Sequence, residues 1–235
     1  MIWLLASMLS SPAMAEPYMD PAAGRLRIDA VGSVSARAVR DADCSGSACS
    51  GRWDRSSAGV EIGGAAFRGV GFSGSITRAR DSVEEASYKG ASTLYGGAMH
   101  LAASLHRSLG FAVEARMANG AGTVNQSIPD PGTSVESEHS IALFGTAGDP
   151  ANGGLLWLGA EALFQSERML RPMGTEGVSV DLPMVPALPG SVILGATLFS
   201  GRVGSPWGRS PRLRTSVEAR IGADTGVSLG LGAAW

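Results

Sequence analysis

The chain has 235 residues, of which 33 are Gly and 17% are charged, and its formal net charge is −2. So small a charge excludes the basic footprint of a nucleic-acid binder. Although 44% of the chain is hydrophobic, no segment approaches the roughly 20 unbroken apolar residues of a membrane-crossing helix.

Residues 1–15, "MIWLLASMLSSPAMA", have the form of a secretory signal peptide. An apolar run from Ile2 to Leu9 is followed by Pro12 and by Ala13-Met14-Ala15 as an A-x-A cleavage site. The α-amino group supplies the only positive charge. The alternative, a buried N-terminal helix, suits so short a run less well. Cleavage would leave Glu16 first, with 16–24 as a periplasmic N-terminal segment and 25–235 as the folded domain.

From Arg25 onward the apolar residues recur at every second position. "RLRIDAVGSVSARA" sets Leu26, Ile28, Ala30 and Val34 against Arg27, Asp29, Ser33 and Arg37. "FAVEARM" sets Phe111, Val113 and Met117 against Glu114 and Arg116. "RLRTSVEARI" sets Leu213, Val217 and Ile221 against Arg214, Glu218 and Arg220. A helix would scatter those charges around its circumference, so the alternation predicts strands. Ten follow: about 25–40, 57–67, 70–80, 92–105, 110–118, 138–147, 155–166, 190–200, 210–222 and 226–235.

The connections alternate long and short: 41–56, 68–69, 81–91, 106–109, 119–137, 148–154, 167–189 and 201–209, with 223–225 short where a long one is due. Long loops at one end and tight turns at the other are the pattern of a transmembrane β-barrel. The expected fold is therefore all-β, a ten-stranded antiparallel up-and-down transmembrane barrel, with eight strands possible. A closed barrel, like a helix, pairs every backbone group internally, as hydrocarbon demands. Trp235, Phe72 and Phe111 fall near the short-turn end and Tyr95 and Phe164 near the long-loop end, where aromatic girdles belong. A soluble barrel with an apolar interior would show the same alternation. Charges on one face of several strands weigh against it.

The last ten residues, "GVSLGLGAAW", place Val227, Leu229, Leu231, Ala233 and Trp235 on one face. The segment resembles the C-terminal β-signal of bacterial outer-membrane β-barrel proteins, with Trp in place of the commoner Phe and a small Ala233. That resemblance implies recognition by the barrel-assembly machinery and a place in the bacterial outer membrane, among its lipid and lipopolysaccharide.

Cys44 and Cys49 share the flexible segment "DCSGSACSG". In an oxidising compartment their simplest state is a small disulfide; free thiols are the alternative, and a zinc site lacks further ligands. No cofactor is expected. The inward face should hold Arg27, Asp29, Arg37, Glu61, His100, Glu114, Arg116, Glu161, Arg214, Glu218 and Arg220, with acids and bases nearly balanced in a salt-bridged lumen. His139-Ser140, beside Glu136 and Glu138, is the one constellation near the outer rim that suggests a hydrolase of the omptin kind. Strand neighbours point to opposite faces, which keeps this base and nucleophile apart.

The outer connections offer binding surface. Arg52, Trp53 and Arg55 surround the cysteine pair, and Arg78 and Arg80 stand at a height suited to lipopolysaccharide phosphates. Segment 167–189 is unusually apolar, with Met169, Leu170, Met173, Leu182, Met184 and Val185. It is a candidate cap over the lumen or a contact for a surface partner of unknown identity. The expected function is a non-catalytic outer-membrane barrel with a structural or surface-interaction role. A narrow porin-like diffusion channel and a surface hydrolase are its rivals.

Overall fold

The computed structural model describes residues 26–41, 50–67, 69–83, 88–106, 108–125, 132–149, 153–171, 182–186, 189–202 and 211–235. The predicted signal peptide, the segment 16–24, Cys44, Cys49 and Met173 lie outside the described residues. The strands are β1 (Arg27–Asp41), β2 (Ser50–Phe67), β3 (Val70–Val83), β4 (Tyr88–His106), β5 (Leu109–Asn125), β6 (Gly132–Asp149), β7 (Gly154–Arg171), β8 (Leu182–Pro186), β9 (Gly190–Arg202), β10 (Arg212–Gly222) and β11 (Thr225–Ala234).

Neighbours in sequence pair antiparallel from β1 to β7, β7 then pairs with β9, and the sheet continues through β10 to β11. It closes where β11 meets β1, from Arg27↔Ala234 to Ala36↔Thr225. The last rung is a bond from the Trp235 amide to the Leu26 carbonyl at 3.0 Å. Ten long strands therefore form a closed antiparallel barrel. Closure leaves no sheet edge unpaired at the level of the ring.

The alternation that produces the strands also sorts the two faces. Along β10, Arg214, Ser216, Glu218 and Arg220 are buried, while Leu213, Val217 and Ile221 are 51%, 42% and 70% exposed. The rest of the wall follows suit, with Ile76, Leu143, Leu156, Leu194, Leu229 and Leu231 all outside. Polar residues fill the interior and apolar residues coat the surface, the inverse of a water-soluble barrel. Phe72, Phe111, Tyr95, Phe164 and Trp235 stand on that outer coat.

At the short-turn end, β2 turns into β3 through Gly69, whose φ of 77° is left-handed and open to Gly at little cost. At the other end several expected loops are wall. β2 begins at Ser50, β5 runs to Asn125, β6 starts at Gly132 and β7 reaches Arg171. Of the predicted loops 41–56, 81–91 and 119–137, residues 50–56, 81–83, 88–91, 119–125 and 132–137 belong to the wall.

The segment 167–189 departs most from the expectation of one long loop. Its first residues extend β7, and Leu182–Pro186 form β8. β8 pairs with β7 through Arg168↔Met184, Met169↔Pro183 and Leu170↔Leu182. It pairs with β1 through Val39↔Pro186, Arg40↔Val185 and Asp41↔Met184. Above the last rungs that β1 shares with β11 and β7 shares with β9, this short strand bridges the gap. Among the described residues the wall thus has ten strands at the short-turn end and eight at the long-loop end, β1 to β7 with β8. Three rungs on each side suffice for a strand that contains Pro183 and Pro186, although neither can donate a backbone hydrogen bond.

Candidate functional site

The inner face is the place where chemistry or passage would occur, and side chains cross it at several levels. At the foot of β1, Arg27 pairs with Glu61 of β2 and lies 3.6 Å from Asp29, which also pairs with Arg214 of β10. On the wall formed by β5, β6, β7 and β9 the inner surface is apolar. Ala112, Ala142, Phe144, Leu155, Trp157 and Ile193 form one cluster there, each no more than 2% exposed. Trp157 fits because it lies over Gly195, where a Cβ would come within 2.2 Å of the indole.

A second level joins five strands. Glu114 and Arg116 pair along β5, and His100 Nδ1 of β4 lies 2.5 Å from Glu114 Oε2. Glu161 of β7 accepts from Arg116 at 3.3 Å, Arg220 of β10 at 2.9 Å and Ser140 of β6 at 2.7 Å. Arg220 also donates to Glu218 at 2.8 Å. Sharing Glu161 among three donors lowers the cost of burying it.

The third level lies toward the long-loop end. Arg37 of β1 donates to Asp224 in the β10–β11 turn at 2.7 Å, to Ser166 of β7 at 2.8 Å and to Glu138 of β6 at 2.7 Å. Arg55 of β2 holds Glu136 of β6 in a fork, at 2.8 and 2.7 Å. It holds Asp81 of β3 in a second fork, at 2.6 and 3.1 Å. Trp53 Nε1 donates to the same Asp81 at 2.8 Å. Planar guanidinium groups suit this double recognition, and a Lys ammonium in their place could not form either two-bond fork. The void left among Trp53, Arg55, Asp81, Ser92 and Glu136 is about 10 Å³, room for roughly one water.

All the residues expected inside, Arg27, Asp29, Arg37, Glu61, His100, Glu114, Arg116, Glu161, Arg214, Glu218 and Arg220, lie on this buried face. The expected balance of charge differs. Arg55, Asp81, Glu136, Glu138 and Asp224 are also buried, which makes nine carboxylates against six guanidinium groups among the described residues, so most of these Arg side chains serve two acids. Trp53, Arg55 and Asp81 were expected in loops; their alternation with exposed Arg52, Ser56 and Arg80 was the available signal.

His139 sits between inward-facing Glu138 and Ser140, so it does not share a face with Ser140, whose hydroxyl is committed to Glu161. Among the described residues no three His, Cys, Asp or Glu side chains are grouped to hold a metal ion. Val227, Leu229, Leu231 and Trp235 face outward along β11, with Ala233 half-buried between them. Met169, Leu170, Leu182, Met184 and Val185 are placed by their backbone pairings in β7 and β8.

No protein-family model matches the chain, and no curated protein matches it. Among solved structures it is similar to the transport unit of the autotransporter AIDA-I from Escherichia coli, with a TM-score of 0.53 and 10% identity over 94% of this chain and 93% of that one. It is also similar to the translocator domain of autotransporter NalP from Neisseria meningitidis, with a TM-score of 0.45 and 8% identity over 90% and 88%. A third is Neisserial surface protein A, with a TM-score of 0.40 and 10% identity over 91% and 99%. The AIDA-I likeness is one of fold: a closed antiparallel β-barrel.

Proposed function

We propose that the chain is a bacterial outer-membrane β-barrel whose lumen is sealed, and that it acts through its outer surfaces, as a structural or surface-interaction protein without catalytic activity. The observation that carries this reading is the bridge from Arg37 on β1 to Glu138 on β6. It runs between β1 and β6 across the interior, and with the Arg55 forks and the Trp157 cluster it fills the described part of the lumen with side chains. A porin-like channel needs an open, water-lined path. The AIDA-I barrel is the transport unit of an autotransporter; use of this lumen for transport would require these buried pairs to separate, at a high electrostatic cost.

The apolar outer coat supports the membrane placement, since exposed Leu, Ile and Val over the whole wall would be costly in water. The outward-facing Val227, Leu229, Leu231 and Trp235 agree with delivery by the barrel-assembly machinery. An oxidising compartment agrees with a Cys44–Cys49 disulfide. With the interior committed to structure, binding falls to the long-loop end and the outer wall.

Liposome swelling tests the proposal. Proteoliposomes of the purified protein should take up a small sugar no faster than empty liposomes, and rapid uptake would favour the channel reading.

A further inference from the structure

Among the described side chains, four charged residues are exposed: Arg52, Arg78, Arg80 and Lys89. All four are cations, and all stand on three adjacent strands, β2, β3 and β4. The register places Arg78 beside Ala58 and Thr93, Arg80 beside Ser56 and Ala91, and Ser82 beside Asp54 and Lys89. Among the described residues Asp54 is the one carboxylate on the outer side of this patch, and Arg52 donates to it at 2.8 Å. Arg78 donates to Thr93 Oγ1 at 3.1 Å, which holds its guanidinium against the wall.

One row nearer the short-turn end the charges stop. Val60, Ile76 and Tyr95 lie in register there and are 47%, 59% and 46% exposed. The wall above them is concave, an open groove of about 720 Å³ whose lining includes Val34, Arg52, Ser56, Arg80, Lys89 and Val227. Rim solvation would mix both signs of charge and spread them round the barrel. Here a cationic step rests directly on an apolar band, which matches a ligand with phosphate above and hydrocarbon below.

We propose that this face binds a phosphorylated glycolipid of the outer leaflet, its phosphate groups on Arg80 and Lys89 of the groove and on Arg78 beside it, and its acyl chains against the neighbouring row of Val60, Ile76 and Tyr95. Charge-assisted bonds from Arg to phosphate supply the specificity. The proposal rests on the outer-membrane reading above.

Lys89 is the chain's only lysine, so an amine-acetylating reagent reports on this patch once peptide mapping separates the N-terminal amine. In the refolded full-length protein, bisphosphorylated lipid A should slow acetylation of Lys89 several-fold. The dephosphorylated glycolipid and inorganic phosphate at equal concentration should leave the rate unchanged. The double variant R78Q/R80Q should bind lipid A roughly tenfold more weakly or worse. Acetylation unaffected by lipid A, equal protection by inorganic phosphate, or unaltered affinity in the variant would each overturn the site. Heat-modifiable gel mobility, run on the same samples, reports the barrel separately. Its absence in the parent protein would count against the membrane reading rather than against the groove.

Discussion

Arg37 on β1 and Glu138 on β6 meet at 2.7 Å although five strand-to-strand steps separate them in either direction round the ten-strand ring, and three through β8. Two side chains can span the barrel only where its interior is narrow, and here Asp224 and Ser166 converge on the same guanidinium. The contact therefore ties opposite parts of the wall together across the interior.

Replacing Arg37 with Ala should destabilise the barrel by about 3–5 kcal/mol, because Glu138 and Asp224 would remain buried without their counter-charge. The midpoint of the gel-mobility shift in urea would measure this. Arg37→Lys should fall between the two, since an ammonium cannot reproduce the fork. An unchanged midpoint for Arg37→Ala would mean that water replaces the pair at no cost.

Gly195 and Trp157 form a second complementary pair. A Cβ at 195 would meet the indole at 2.2 Å, so Gly195→Val should prevent or sharply reduce folding to the heat-modifiable form. Trp157→Leu should be folded but weakened by removal of a large buried ring. The double variant Gly195→Val/Trp157→Leu should refold better than Gly195→Val alone. If it does not, the close approach is not the source of the defect.

The eight-stranded upper ring depends on the register of β8. With Cys44 and Cys49 changed to Ser, cysteines placed at Arg168 and Met184 should form a disulfide on mild oxidation, since these positions are Cα partners. Cysteines at Arg168 and Val185 should cross-link poorly, because neighbouring residues of a strand point to opposite faces. Equal cross-linking of both pairs would indicate a mobile segment without fixed pairing.

Much of this architecture is legible in the sequence because period-two alternation survives wherever one face is apolar. Arg214, Glu218 and Arg220 against Leu213, Val217 and Ile221 fix both the strand and its inner face. The pattern fails where both faces are polar. In "RWDRSS" the outward Arg52 and Asp54 alternate with inward Trp53 and Arg55, and nothing in hydropathy separates them from a loop. Phe144 and Trp157 could have been placed inside by counting in twos from the inward-facing Ala142 and Glu161. β8 could not, since one of its two partners, β1, lies far off in sequence and its prolines argue locally against a strand.

Trp235 ends the closing strand and its amide completes the ladder to Leu26. Deleting Trp235, or changing it to Asp, should lower the amount of folded protein in the outer membrane while leaving export to the periplasm intact. Fractionation with heat-modifiability would distinguish the two. Normal outer-membrane levels of the truncated protein would remove the β-signal from the account.

The sealed lumen is tested most directly by single-channel recording of the purified, refolded protein in planar lipid bilayers. The parent protein should give no stable conductance steps, while the variant R37A/R55A, if folded, should give small ones because its two cross-lumen clamps are gone. Reproducible steps from the parent protein would contradict the account, for they would mean that ions pass between Arg37 and Glu138.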